Sequence, residues 1–181
     1  MVTRDSEIAE SFCGFFTDIG PKLAGRVRPP TSGSFLDYLG PSSGSSAFFW
    51  PTDPAEVESI CQALDCSKGP GHDGFSPAAL RYVSTEVSGP LSRFINACLE
   101  AGYFPDFLKV ARVTPVFKDG DPTHLGNYRP ISVLSVISKI FEKVIQVRLL
   151  SFLRRQGSLL ASQYGFRRGH SRENSTGMGG W

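Results

Sequence analysis

The 181-residue sequence predicts a mixed α+β fold, helix-rich, with one β-hairpin. Three observations predict it. Apolar residues return every third or fourth position through most of the first 100 residues and again over about 134–155, the period of helices with one buried face. A single short β-branched segment, Val110 to Phe117, breaks that period and runs into a Gly-Asp-Pro turn. Apolar residues make up 40% and charged residues 20%, which supplies a core and argues against wholesale disorder.

Residues 5–28 read as helix, with Ile8, Phe12, Phe15, Ile19, Leu23 and Val27 on one face and Gly20-Pro21 as a break or kink. Residues 29–51 are rich in Pro, Gly and Ser without a period and read as a linker. Its aromatics, Phe35, Tyr38, Phe48, Phe49 and Trp50, are too many for a fully solvated tether, so some are expected to dock. Asp53 then caps a helix, Pro54 suits its first position, and Glu56 completes a capping box ahead of Val57, Ile60, Cys61 and Leu64. Ser76-Pro77 opens another helix in the same way. Pro90 opens the next, with Leu91, Phe94, Ile95, Cys98 and Leu99 inward and Gly102 as its stop. Pro115 makes the 110–117 strand an edge or bulged strand, 118–122 its turn, and 127–132 the extended return. The last helix places Val136, Ile137, Ile140, Phe141, Val144 and Leu149 on one side, and Lys139, Lys143, Arg154 and Arg155 on the other. The segment 172–181 has no period and reads as a disordered tail.

Charge and motifs narrow the function classes. Residues 1–100 carry seven basic and twelve acidic side chains, a net −5, whereas 101–181 carry twelve and five, a net +7. A basic second half points to a phosphate-bearing partner or to an ordinary solvated surface. No run of about 18 apolar residues is present to cross a bilayer, so no membrane partner is expected, and the N-terminus lacks the basic and apolar regions of a secretory signal. Cys13, Cys61, Cys66 and Cys98 are scattered, which fits a reducing compartment better than a disulfide framework. Gly69-Pro-Gly-His-Asp-Gly74 matches GxGxxG formally, but a helix rather than a strand precedes it, against dinucleotide binding. Cys61, Cys66 and His72 lack zinc spacing, Asp119-Gly-Asp121 lacks the other oxygens of a calcium loop, and no GxSxG elbow supports a hydrolase.

Lys118 at the hairpin turn and Arg129 on the return remain. Two cations there serve either as a solvated edge that discourages sheet aggregation or as a clamp for a triphosphate, with Lys as point charge and Arg as forked donor.

Four blocks in order give the chain a family likeness. They are Lys68 to Phe75 (KGPGHDGF), Gly102 to Asp121 (GYFPDFLKVARVTPVFKDGD), Asn127 to Lys143 (NYRPISVLSVISKIFEK) and Gln163 to Ser171 (QYGFRRGHS). Together they resemble the N-terminal, fingers part of the reverse transcriptases of non-LTR (LINE-type) retrotransposons, and Glu7 to Ala24 resembles that family's segment between endonuclease and polymerase. The resemblance implies the fingers and start of the palm of a right-hand polymerase fold, as an incomplete domain. Its organisation would be an N-terminal connector at 1–28, the linker at 29–51, a partial reverse transcriptase domain at 52–171 and the tail at 172–181. It further implies that Lys118 and Arg129 bind the triphosphate of an incoming deoxynucleotide. Lys68, Asp73, Gly74, Gln163, Gly165, Phe166 and Arg167 would lie against nucleic acid. The implied partners are an RNA template, a DNA primer and a deoxynucleotide triphosphate.

The departures matter as well. His72 stands where the family commonly has Pro. The family's metal-holding carboxylates come from an Asp-bearing strand just after QYGFRRGHS and from a later Asp-containing turn, and neither follows Ser171 in this sequence. Mg2+ is therefore expected for the complete enzyme, no cofactor for this stretch, and no catalytic residue is assigned within it. The alternatives are a non-catalytic RNA-binding module and an inert gene fragment.

Overall fold

In the computed structural model, residues 4–28, 34, 37 and 44–159 are described. Among them five α-helices and one two-stranded antiparallel sheet follow in the order α1 (Asp5–Ala24), α2 (Pro54–Gln62), α3 (Pro77–Tyr82), α4 (Ser84–Ala101), β1 (Ala111–Phe117), β2 (Tyr128–Leu134) and α5 (Val136–Arg155), with short 3-10 turns at Asp106–Leu108 and Leu125–Asn127. The helix-rich α+β reading holds, with its single hairpin. The fourth sequence block, with Gln163, Gly165, Phe166 and Arg167, lies outside the described residues, as do Phe35, Tyr38 and the segment 172–181.

The core is helical. α2 packs on α4 and α5 around Val57, Cys61, Ile95, Val136, Ile140, Phe141 and Val144, with Leu80 of α3 at the side. The Phe104 ring stacks on Phe141 at 4.8 Å. Cys61 belongs to this core, and burial raises its thiol above the ordinary range. Local capping sets the helix starts. Asp53 Oδ1 accepts the Glu56 N–H at 2.8 Å, and Ser76 Oγ accepts that of Ala79 at 3.1 Å. Gly102 ends α4 in the left-handed conformation, with the Tyr103 N–H closing on the Cys98 carbonyl.

Four expectations need correction. α1 runs unbroken through Pro21 and ends at Ala24; with Pro21 in its last turn, only the bond to the Thr17 carbonyl is forfeited. The apolar stripe of α1 is not a core face, because Phe12 is its one buried residue while Ile8 and Leu23 are exposed. α4 begins at Ser84, six residues before Pro90. Pro90 and Glu86 are both exposed, so the carbonyl left without a donor faces solvent, while Ser84, Ser88 and Ser92 form a buried ridge that α2 covers. On α5 the stripe continues from Val144 to Arg148 rather than Leu149, which is 40% exposed.

Arg148 ties α5 to the chain entering α2, a contact with no local signal in the sequence. Arg148 is completely buried and forks onto the Glu56 carboxylate, Nη1 to Oε1 at 2.7 Å and Nη2 to Oε2 at 2.8 Å. It also donates to the carbonyls of Trp50 and Pro51 and lies 4.9 Å from the Trp50 ring centroid. Glu56 is thus occupied by Arg148 and by the Thr52 hydroxyl, so only the Asp53 half of the capping box forms. The Asn96 side-chain amide of α4 pairs with both backbone groups of Thr52. The chain entering α2 is thereby held between α4 and α5. Among the described linker aromatics Trp50 docks, whereas Phe48 stays exposed.

Candidate nucleic-acid interface

The hairpin is built around two prolines. Pro115 stands directly opposite Pro130, and neither has an N–H for the ladder. In an antiparallel pair, bonded and non-bonded positions alternate. The Lys118 N–H donates to the Asn127 carbonyl at 2.8 Å, three residues beyond Pro115, which puts the proline pair at a non-bonded position. Both prolines therefore fit without breaking a ladder bond. This explains how a Pro-containing segment holds a strand here.

The register then sorts side chains between two faces. Arg112, Thr114, Val116 and Lys118 share one face with Arg129, Ile131 and Val133; Val113, Pro115 and Phe117 share the other with Tyr128, Pro130 and Ser132. α1 lies on the second. Its Phe12 ring meets Tyr128 edge-on at 4.8 Å, and its inner side forms with Val113 and Pro115 an apolar groove of about 540 Å³. Lys118 and Arg129 thus sit on the face away from α1, at the turn end, and both are exposed. Lys118 Nζ approaches Asp119 at 4.0 Å, a loose surface pair, and Arg129 has no partner among the described residues.

The turn is tied by its own polar groups. Asp121 Oδ1 accepts the backbone N–H and the hydroxyl of Thr123 at 2.8 and 2.7 Å, and the backbone bond foremost holds its carboxyl below the usual range. The Asn127 amide donates to the Asp121 carbonyl, and the Tyr128 hydroxyl to that of Pro122. Among the described residues no three His, Cys, Asp or Glu side chains come together. Asp121 Oδ1 is thus committed to the turn.

The loop containing Lys68, Asp73 and Gly74 lies at the other end of the hairpin. Arg112, on the same face as the two cations, donates to the Pro70 carbonyl at 3.2 Å. A β-carbon on Gly71 would stand 2.8 Å from the backbone N and Cα of Ser135, so only glycine allows the loop this close. The Ser135 hydroxyl accepts the Ile137 N–H at the start of α5 and donates to Asp73 Oδ2 at 2.6 Å. The Asp73 carboxylate therefore fastens the loop, while Gly74 takes a left-handed φ of 77° in open space. Lys68 is exposed, 3.7 Å from Asp65. Lys118 and Arg112 are six residues apart along the strand direction, about 20 Å at 3.3 Å per residue. The structure thus gathers Lys118 and Arg129 at one end and the 68–74 loop at the other, beside one face. Arg112, which links them, was not singled out from the sequence; its alternation with Thr114, Val116 and Lys118 was the available signal.

No protein-family model matches the chain. Several relatives from Drosophila melanogaster do, three of which follow. The chain is 36% identical over 121 residues to the protein named "Probable RNA-directed DNA polymerase from transposon X-element", and 36% identical over 125 residues to that from transposon BS. It is 33% identical over 116 residues to the RNA-directed DNA polymerase from mobile element jockey. These alignments cover 66%, 67% and 64% of this chain but only 13%, 14% and 13% of the relatives, so the chain corresponds to a small part of their length. On four blocks in family order and these identities, the chain belongs to the reverse transcriptases of non-LTR retrotransposons.

Proposed function

We propose that this chain forms the fingers side of a right-hand RNA-directed DNA polymerase, with the entry to its palm, and grips the incoming nucleotide. Residues 1–28 act as the connector from a preceding region, 29–51 as a linker, and 52–171 as the partial polymerase domain. The observation that carries the reading is the hairpin register, which sets Lys118 and Arg129 on one exposed face at the turn end. During nucleotide transfer, negative charge moves toward the leaving pyrophosphate, and two fixed cations stabilise it there. The fork of Arg129 suits two phosphate oxygens and Lys118 adds a point charge. The template follows the same face toward the 68–74 loop, where Lys68, exposed and only loosely paired with Asp65, reaches phosphate and Asp73 holds the loop in place. Gln163, Gly165, Phe166 and Arg167 join the template side by family likeness.

Phosphoryl transfer in polymerases uses paired metal ions held by carboxylates. Among the described residues no three such side chains come together, and in this reading the chain grips substrate without joining it. Purified chain, supplied with RNA template, DNA primer, deoxynucleotides and magnesium, is expected to extend no primer; robust extension would overturn this part of the reading. Equilibrium dialysis against labelled dTTP tests the grip: Lys118→Ala and Arg129→Ala are each expected to weaken binding about ten- to a hundredfold, the worth of a hydrogen bond to a charged group. Unchanged affinity in both variants refutes the clamp.

A further inference from the structure

We propose that α1 is a positioning element for the nucleotide grip, acting through Phe12. The proposal rests on the clamp reading above and deepens it. Phe12 is the one buried residue of α1, although that helix carries several large apolar side chains. Its ring packs edge-on against Tyr128 at 4.8 Å, and the Tyr128 ring lies 5.3 Å from that of Phe117. The three rings form one cluster on the face opposite the cations. Phe117 immediately precedes Lys118, and Tyr128 immediately precedes Arg129. Each cation is thus one peptide from a ring of the cluster.

Alternation along a strand converts this adjacency into mechanical control. Fixing the side chains of residues 117 and 128 on one face fixes the backbone from which 118 and 129 project on the other. The cluster also governs the turn, because the Tyr128 hydroxyl donates to the Pro122 carbonyl at 2.9 Å. Phe15 lies near the same turn: a β-carbon on Gly126 would stand 3.8 Å from the tip of its ring. A two-stranded hairpin is marginal by itself, and three elements sharing an apolar face are needed to hold it. α1 supplies the third. Phe12 touches no phosphate in this arrangement and acts only through Tyr128.

The test uses the whole chain and two readouts, hydrogen exchange of the amides over 111–134 and equilibrium dialysis against dTTP. Phe12→Ala is expected to speed exchange in the hairpin while leaving α2, α4 and α5 protected, and to weaken dTTP binding about tenfold, the scale of one aromatic pair. Phe12→Leu, which keeps an apolar side chain on Tyr128, should restore most of both, and Leu23→Ala, at an exposed site on the same helix, should change neither. Unchanged hairpin exchange in Phe12→Ala overturns the proposal whatever happens to nucleotide. Faster exchange with unchanged dTTP binding overturns it too, provided Lys118→Ala weakens binding. If Lys118→Ala and Arg129→Ala also leave binding unchanged, the clamp reading itself has failed, and the positioning role falls with it.

Discussion

Arg148 is a charged side chain with no exposed surface at the end of the buried stripe of α5, and its neighbours account for that. Two of its donors go to one carboxylate and the rest to backbone carbonyls, so the charge is both paired and fully hydrogen-bonded. Removing one partner strands the other. Glu56→Gln is expected to destabilise the chain by about 3–5 kcal/mol at neutral pH, read as a lower urea midpoint. Hydrogen bonding to Arg148 foremost lowers the Glu56 carboxyl below its ordinary 4.5, more than desolvation raises it. A depressed folded-state pKa contributes stability that is present above the unfolded value and lost as pH falls through the folded one. The gap in midpoint between wild type and Glu56→Gln should therefore be largest above pH 4.5 and shrink on further acidification. A gap that is constant across that range would show that the pair does not titrate with folding.

At the scale of elements, the helices were legible wherever a cap and a period coincided. Asp53-Pro54, Ser76-Pro77 and Gly102 placed boundaries within a residue or two of those observed. Pro90 misled, because a proline at a helix start and one on an exposed flank look alike in sequence. The ridge of Ser84, Ser88 and Ser92 that overrides it is small and polar, and escapes a search for apolar periodicity. The close approach of the 68–74 loop to the hairpin base was equally hidden, since Gly71 meets Ser135 across more than sixty residues. Gly71→Ala is expected to cost about 1–3 kcal/mol, as overpacking does, and to loosen the Arg112–Pro70 contact. Chemical denaturation and exchange at residues 69–75 would register both. An unperturbed loop would mean that the backbone yields more easily than its packing suggests.

The described residues join a helical core to a hairpin whose charged face is exposed among them. The net +7 of residues 101–181 and the exposed Lys118 and Arg129 are suited to phosphate backbones. If the chain binds single-stranded RNA, affinity should fall linearly with the logarithm of salt, with a slope of about −0.7 for each phosphate neutralised. Lys118→Ala should flatten that slope, and a gel shift across a salt series would reveal it. Absence of a shift at low salt would restrict the charged face to nucleotide. Family membership, the helix-rich composition with one hairpin, and the two clamp candidates all followed from the order of residues, because caps, periods and motifs are local. Tertiary structure alone decided which apolar stripe is core, that Phe12 backs the hairpin, and that Arg148 pins Trp50 and Pro51. Each of those depends on which distant groups meet, and a buried charge or a half-exposed stripe acquires its meaning only from the partner brought against it.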